Sequence, residues 1–473
     1  MRKLRAIMAI LLFLCSWTND LFAQPNILYF MKGMAQTKEL NPARAGIKRG
    51  FYIGLPLFSK LDISANTNNW SYNDLIHRGS GAMADSLVWD FNRYLSSLDK
   101  NNFVTESIAL TLVDIGWKKG KAFYGFSWSE REFTEPFFTK SLVNLLYYGN
   151  APSLGSTYHS GYFGVGGAQY REFAFTYANE LSKKIRVGIT GKLLFGLAGI
   201  KTAGLNFVAG MPDNGDQIDL AAGGQAFISA PVNIRLVNDH GYKLYAKNNF
   251  DLIPYLTNFG NPGLAVDLGI SNKVNEYFEF SVSLLDLGFI TWKQDVTVLK
   301  ESGHFLFKGI NLNTQTETNH PPSATDARGL FLALRDTMRA IFLPVESNKG
   351  FTTLLPVKLY IAGESIVNED VSIGGLVRIR TFNNRLHASL TASVNTKLTE
   401  KVALSASYSV LESTYDNLGL GASFRSGKFQ GYAATDNVFS LFRPATARNV
   451  SLRIGINLIF QDEPGRRKGI YRR

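Results

Sequence analysis

The sequence predicts an all-β protein, a transmembrane antiparallel β-barrel of about 14 strands with short helices in its loops. Three observations carry this: side chains alternate apolar and polar over many segments, those segments have membrane-crossing length, and short polar turns join most of them.

The first residues read Met-Arg-Lys-Leu-Arg, followed by an apolar run from Ala6 to Leu14 and a more polar stretch ending in Leu21-Phe22-Ala23. This is the pattern of a secretory signal peptide cut before Gln24, so residues 1–23 are expected to be absent from the mature chain. Leu14 precedes Cys15 where lipoprotein processing needs a small residue, which argues against lipidation there. Cys15 is the single cysteine, so the mature chain has no means of forming a disulfide. Residues 1–23 contribute a net +2 to the chain's +12, leaving +10. Those basic residues are scattered rather than gathered on a recognisable nucleic-acid-binding motif, so nucleic acid is not expected as a partner.

The chain is 45% hydrophobic and 13% aromatic, yet its mean hydropathy is only −0.04. After the leader no apolar run reaches the roughly 18 residues of a membrane helix. Alternation explains both facts, because lipid-facing and lumen-facing residues cancel in the average. Leu386, Ala388, Leu390, Ala392 and Val394 alternate with His387, Ser389, Thr391, Ser393 and Asn395. Val402, Leu404, Ala406, Tyr408 and Val410 do the same with serines, and Leu418, Leu420, Ala422 and Phe424 with Gly419, Gly421 and Ser423. Segments around Phe173–Tyr177, Ile185–Phe195, Leu264–Ile270 and Phe278–Leu284 behave alike, and Gly50–Leu57, Glu106–Trp117, Lys121–Ser129, Leu354–Val367, Val371–Thr381 and Lys428–Thr435 complete the candidates.

Tight polar links at 181–184, 272–276, 367–370, 383–384, 399–401 and 426–427 suit the short-turn, periplasmic side of a barrel. The long connection from Leu299 to Thr353 suits the external side. Helical spacing sets Met83, Leu87, Phe91, Leu95 and Leu98 on one face, and likewise Leu142, Leu145 and Leu146, and Leu330, Leu334, Met338 and Ile341. These are expected as short helices packed on loops at the barrel mouth, with a plug or gating element as the other reading.

In the last alternating segment Leu452, Ile454, Ile456, Leu458 and Phe460 face one way. Its closing aromatic, Phe460, resembles the C-terminal signal read by the outer-membrane barrel assembly machinery, which is therefore an expected partner along with outer-membrane lipid. Thirteen residues follow, Gln461 to Arg473, with a net +3, and form a basic tail at 461–473. A solvated tail is the simpler reading, and contact with lipid phosphates or a partner is the other.

Behind the leader, Asn26-Ile27-Leu28-Tyr29-Phe30-Met31 leads to Leu40-Asn41-Pro42-Ala43, and Gly54-Leu55-Pro56 opens the first strand. This arrangement resembles the long-chain fatty-acid transporter family and the porin-like barrels associated with type IX secretion. It is most similar to an uncharacterised family of outer-membrane barrels in that group. The resemblance implies that residues 24–49 form a hatch-like segment inside a barrel of residues 50–460, with Asn41, Pro42 and Ala43 in the hatch. It also implies localisation in the cell outer membrane and transport of hydrophobic or amphipathic small molecules. The alternative is a non-enzymatic scaffold or accessory component of a secretion or surface complex.

The residues offer little to an enzyme. His77, His159, His240, His304, His320 and His387 show no pair at metal-ligand spacing, and neither a nucleophile elbow nor a phosphate loop is present, so no cofactor or metal is expected. Gly161 to Gly167 is rich in glycine but lacks the lysine and helix that phosphate binding requires. Opposite in phase to the lipid-facing residues stand Arg186, Lys192, Asp267, Glu279, Lys358, Glu364, Arg378, Arg380 and Arg453. Arg186, Lys192, Arg378 and Arg380 are candidates for a positive lumen lining that receives an anionic or amphipathic ligand. The acidic residues in the same phase support a second reading, an internal salt-bridge network that fills the barrel.

Overall fold

The computed structural model describes residues 27–460, apart from residues 32, 46, 48, 57, 149–154, 211–217, 231, 237–241, 247–252, 254–256, 302–303, 308–341, 347–348 and 412–413. The leader, the basic tail and the expected helix at Leu330–Ile341 lie outside the described residues.

Fourteen antiparallel positions close into a ring. They are β1 (Gly50–Gly54 continuing as Lys60–Thr67), β2 (Asn101–Lys119), β3 (Ala122–Thr139), β4 (Gly164–Glu180), β5 (Ile185–Gly210), β6 (Pro262–Lys273) and β7 (Phe278–Trp292). The ring continues through β8 (Phe351–Leu354 with Val357–Ile366), β9 (Val371–Phe382), β10 (Arg385–Lys397), β11 (Val402–Leu411), β12 (Thr414–Ser426), β13 (Phe429–Thr435) and β14 (Asn449–Phe460). Closure is read from Phe51, which lies opposite Trp117 of β2 on one side and Phe460 of β14 on the other. A closed ring leaves no unpaired strand edge, the condition for strands to cross hydrocarbon.

Burial is inverted relative to a water-soluble protein. Along β10, Leu386, Leu390 and Val394 are exposed while His387, Ser389, Thr391, Ser393 and Asn395 are buried. The same holds for Ile189 and Leu193 against Thr190 and Lys192 on β5, and for Leu264, Val266 and Leu268 against Asp267 on β6. Outward apolar rows and an inward polar face are what a lipid-facing wall requires. An aromatic ladder marks one rim: Phe460 stacks on Phe51 at 4.6 Å, Trp117 lies 6.3 Å from Tyr124, and Tyr124 lies 5.4 Å from Tyr177. Lys428 covers Phe460 and Lys119 covers Trp117, the amphipathic pairing of an interface belt.

Strand parity sorts the turns. Those at 120–121, 181–184, 274–277, 367–370, 398–401 and 427–428 share this rim with Gly50 and Phe460. The Asn383-Asn384 turn does not, a correction to the sequence reading: it joins the far ends of β9 and β10 and lies on the opposite rim. Its two positive φ angles, 48° and 61°, make it a tight hairpin, and turn length carries no information about which rim it occupies.

At that opposite rim β5 runs on for 26 residues. Its outer half pairs with Ile218–Ser229, which pairs in turn with Val296–Glu301 and His304–Phe307, while Phe342–Glu346 pairs with Val296–Glu301. The connection from Leu299 to Thr353 is therefore not a plain loop, because strands at both its ends extend the sheet beyond the ring. Lys140–Tyr148 is a helix as expected. The helix expected over Met83–Leu98 is confined to Phe91–Ser97; Leu87 belongs instead to a two-stranded hairpin, Ile76–Arg78 with Leu87–Trp89. Asp90 caps the helix by accepting from the Arg93 amide, which fixes its start after Leu87.

Candidate functional site

The N-terminal segment, residues 27–47, lies inside the ring and is held by wall residues from all around it. Gln36 and Asn457 of β14 exchange hydrogen bonds at 2.8 and 3.1 Å. Lys38 binds Asp114 of β2, Glu39 binds Lys60 of β1 at 2.7 Å and Arg131 of β3 at 3.3 Å, and Arg44 binds Glu364 of β8 at 3.1 Å. Asn41 accepts from the Ala43 amide and donates to the Tyr29 hydroxyl at 3.1 Å and the Val282 carbonyl at 3.3 Å. Pro42 opens the short turn of helix at Pro42–Arg44. Two inward glycines make this approach feasible: a Cβ on Gly188 would lie 2.4 Å from the Pro42 carbonyl carbon, and one on Gly269 would lie 2.2 Å from the Asn41 side chain.

Beside Glu39 the ring is crossed by ion pairs. Lys192 meets Asp267 at 2.8 Å and Asp286 at 2.5 Å, Lys358 meets Asp286 at 2.7 Å, and Arg131 meets Glu172 at 2.9 Å. Together they line a polar space of only about 80 Å³, the waist of the lumen. Asp286 is placed there by a bulge: the register between β6 and β7 shifts between Val266 and Leu268, and Asp286 takes φ 59°. The bulge turns both Leu285 and Asp286 inward, and the Asp286 amide donates to Asp267 at 2.7 Å. Burial alone would raise the Glu39 pKa, but Lys60 and Arg131 outweigh it and hold it at about 2.

Above the waist the lumen is pinched by contacts between opposite walls. Glu135 of β3 binds Arg380 of β9 at 2.7 Å and His387 of β10 at 3.3 Å. Phe133 packs edge-on against Phe382 at 5.1 Å, and Arg385 lies over the Phe137 ring at 4.1 Å. Leu194, Ile290, Trp292, Phe351 and Leu355 continue this layer as an apolar core. Trp292 is accommodated by Gly196 and Gly199, where a Cβ would meet its ring at 2.4 Å. Outside the pinch opens a cavity of about 730 Å³ lined by Phe137, Tyr162, Phe163, Ile200, Leu355 and Phe382, with Lys201 and Arg385 among the lining residues.

The four cationic candidates thus occupy three levels. Lys192 is in the waist, and Arg380 is in the pinch. Arg378 stacks on Tyr360 and donates to its hydroxyl at 2.9 Å. Arg186 lies near the turn rim, bonded to Glu180 at 3.3 Å and to the Ala43 carbonyl at 3.4 Å. Sequence reasoning did not single out Lys38, Glu39, Asp114, Glu135, Glu172 or Asp286. For Asp286 a signal existed, since the doubled leucine of Leu284-Leu285-Asp286-Leu287 breaks the alternation where the bulge inserts a residue.

Residues 42–436 match the model of a family of unknown function, DUF5723. The chain belongs to that family. No curated protein matches the DUF5723 chain. Among solved structures it is similar to the toluene transporter TodX of Pseudomonas putida, at 10% identity over 93% of this chain and 97% of that one, with a TM-score of 0.39. It is similar to a FadL homologue of Pseudomonas aeruginosa at 10% identity, over 93% and 99% of the two chains, with a TM-score of 0.38. The toluene transporter TbuX of Ralstonia pickettii follows at 11% identity, 90% and 94% coverage and a TM-score of 0.33.

Proposed function

We propose that this DUF5723 barrel sits in the outer membrane, delivered there by its leader, and takes up amphipathic small molecules without catalysing a reaction on them. The single observation that carries this reading is the 730 Å³ cavity at the rim opposite the short turns. Aromatic and aliphatic walls suit an apolar body, and Lys201 and Arg385 suit an anionic head. Below it, the pinch, the waist and the N-terminal segment stand in series along the lumen, so passage requires the segment to act as a hatch that yields. Arg380, Arg378 and Lys192 then serve as successive charged positions along the path, and Arg186 as the last. Phe460 serves in assembly.

The test is uptake into proteoliposomes of a fluorescent fatty-acid analogue, with a neutral sugar of similar size as control. Saturable uptake of the analogue, competed by unlabelled dodecanoate and reduced in Arg385→Glu, is the expected result. No uptake and no binding by correctly folded protein would sink the proposal.

The sheet extension built from Ile218–Ser229, Val296–Glu301, His304–Phe307 and Phe342–Glu346 favours a second reading, a scaffold holding a secretion or surface complex. In that case cross-linking through the extension in cells recovers one defined partner rather than assembly machinery alone.

A further inference from the structure

At the rim of the short turns a second cavity, of about 440 Å³, opens between the N-terminal segment and the ends of β4, β5 and β6. Its apolar lining combines the buried Met31 and Ile47 with Ala45 and the more exposed Ile185 and Ile366. Its charged lining is lopsided: Arg44, Lys118, Lys183, Lys184, Arg186 and Lys273 face only Glu180 and Glu279. Lys118 and Arg186 share Glu180, at 2.7 and 3.3 Å, and Arg44 is taken by Glu364. Lys273 stands opposite Glu279 across the strand pair, while Lys183 and Lys184 are exposed and form no ion pair with a carboxylate among the described residues. Two turns hold these three together, because the Lys273 amide donates to the Lys184 carbonyl at 2.8 Å and Ser182 accepts from the Lys184 and Ile185 amides. Six cations against two carboxylates leave an excess of positive charge beside the cavity, which an anion offsets.

We infer that this mouth is a binding site for the oxyanion head, phosphate or carboxylate, of an amphiphile whose apolar tail lies against Met31, Ile47 and Ile366. Three ammonium groups give charge-assisted hydrogen bonds to such a head, and the aliphatic wall takes up the tail. The inference rests on the uptake reading only for its place in the path, as the last station before release. Its source is either a ligand arriving through the lumen or a phospholipid of the adjoining leaflet, since both present the same chemistry.

The experiment titrates octyl phosphate, and separately octanol, into the full barrel in phosphatidylcholine nanodiscs, with empty discs as background. Octyl phosphate should show two saturable sites. The charge reversal Lys183→Glu/Lys184→Glu/Lys273→Glu should remove one of them, and Lys201→Glu/Arg385→Glu the other. Octanol should bind the mouth at least about tenfold more weakly, a difference worth about 1.4 kcal/mol. If the triple reversal fails to fold, judged by heat-modifiable migration in gels, the triple glutamine variant replaces it and should weaken binding in the same direction. Adding phosphatidylglycerol to the discs separates the sources: competition with octyl phosphate identifies a lipid headgroup, and its absence a free amphiphile. Binding at the mouth that survives the reversal, or that does not distinguish octanol from octyl phosphate, overturns the inference. Loss of uptake in vesicles with the mouth site intact would instead count against the transport reading alone.

Discussion

Lys192 and Leu194 are successive inward positions of one strand, yet they belong to opposite kinds of interior. Lys192 stands in a waist of carboxylates and cations, and Leu194 in an apolar layer with Ile290, Trp292 and Leu355. The lumen therefore changes chemistry within one pleat, from hydrogen-bonded charge to close-packed hydrocarbon. A barrel interior need not be uniformly polar. Where opposite walls meet, as at Phe133 and Phe382, the inward face is buried against protein and apolar packing becomes favourable. At the waist the N-terminal segment and ion pairs fill the ring. Under the proposed uptake, a solute would meet an apolar layer first and a polar barrier behind it.

Substitutions at these two neighbours test the contrast directly. Lys192→Ala leaves Asp267, Asp286 and Glu172 without their shared cation, and removing one member of a buried ion cluster costs about 3–5 kcal/mol. Equilibrium unfolding in urea from lipid vesicles measures it, and a loss below about 1 kcal/mol would mean the waist is solvated like an open channel. Leu194→Ala, fully buried in the apolar layer, should cost about 2–4 kcal/mol by the same assay. A negligible effect there would show that the pinch is loosely packed and the two levels are alike.

Glu39 gives the contrast a pH dependence. Its folded pKa of about 2 lies below the ordinary 4.5, so its anchoring of the N-terminal segment is fully present above about 4.5 and is lost as pH falls toward 2. Relative to intrinsic rates, the exchange protection of residues 27–47 should accordingly fall on acidification, while protection in the apolar layer around Leu194 stays high. In Glu39→Gln the segment should already be less protected at neutral pH, and its loss of protection in acid should be smaller. An unchanged loss in acid would assign the anchoring to Lys38 and Arg44 instead.

Much of the ring was legible because lipid imposes period two on every crossing strand, and the signal is strongest where nothing else competes, as in β10 to β12. The ion network was only half legible. Asp267, Lys358 and Glu364 lie in the lumen phase and declare themselves, but Glu135 meets Arg380 only because β3 and β9 face each other across a closed ring. Contacts of that kind depend on closure and leave no spacing in the chain. Asp286 was hidden by its bulge, and the helix expected over Met83–Leu98 failed because Leu87 matched helical spacing while Asp90 capped a later start.

The smallest effect separates packing from assembly at the closing seam. Phe460 stacks on Phe51 and carries Lys428 over its ring, contacts worth about 1 kcal/mol beyond simple area. Phe460→Ala and Phe51→Ala break the same stack from its two sides, so in unfolding assays they should cost similar amounts. If Phe460 is also read by the assembly machinery, its variant alone should lower the amount of barrel inserted in cells, at a stability matched by Phe51→Ala. Equal insertion of the two variants would reduce Phe460 to one rung of the aromatic ladder, because a purely structural stack cannot tell which of its partners was removed.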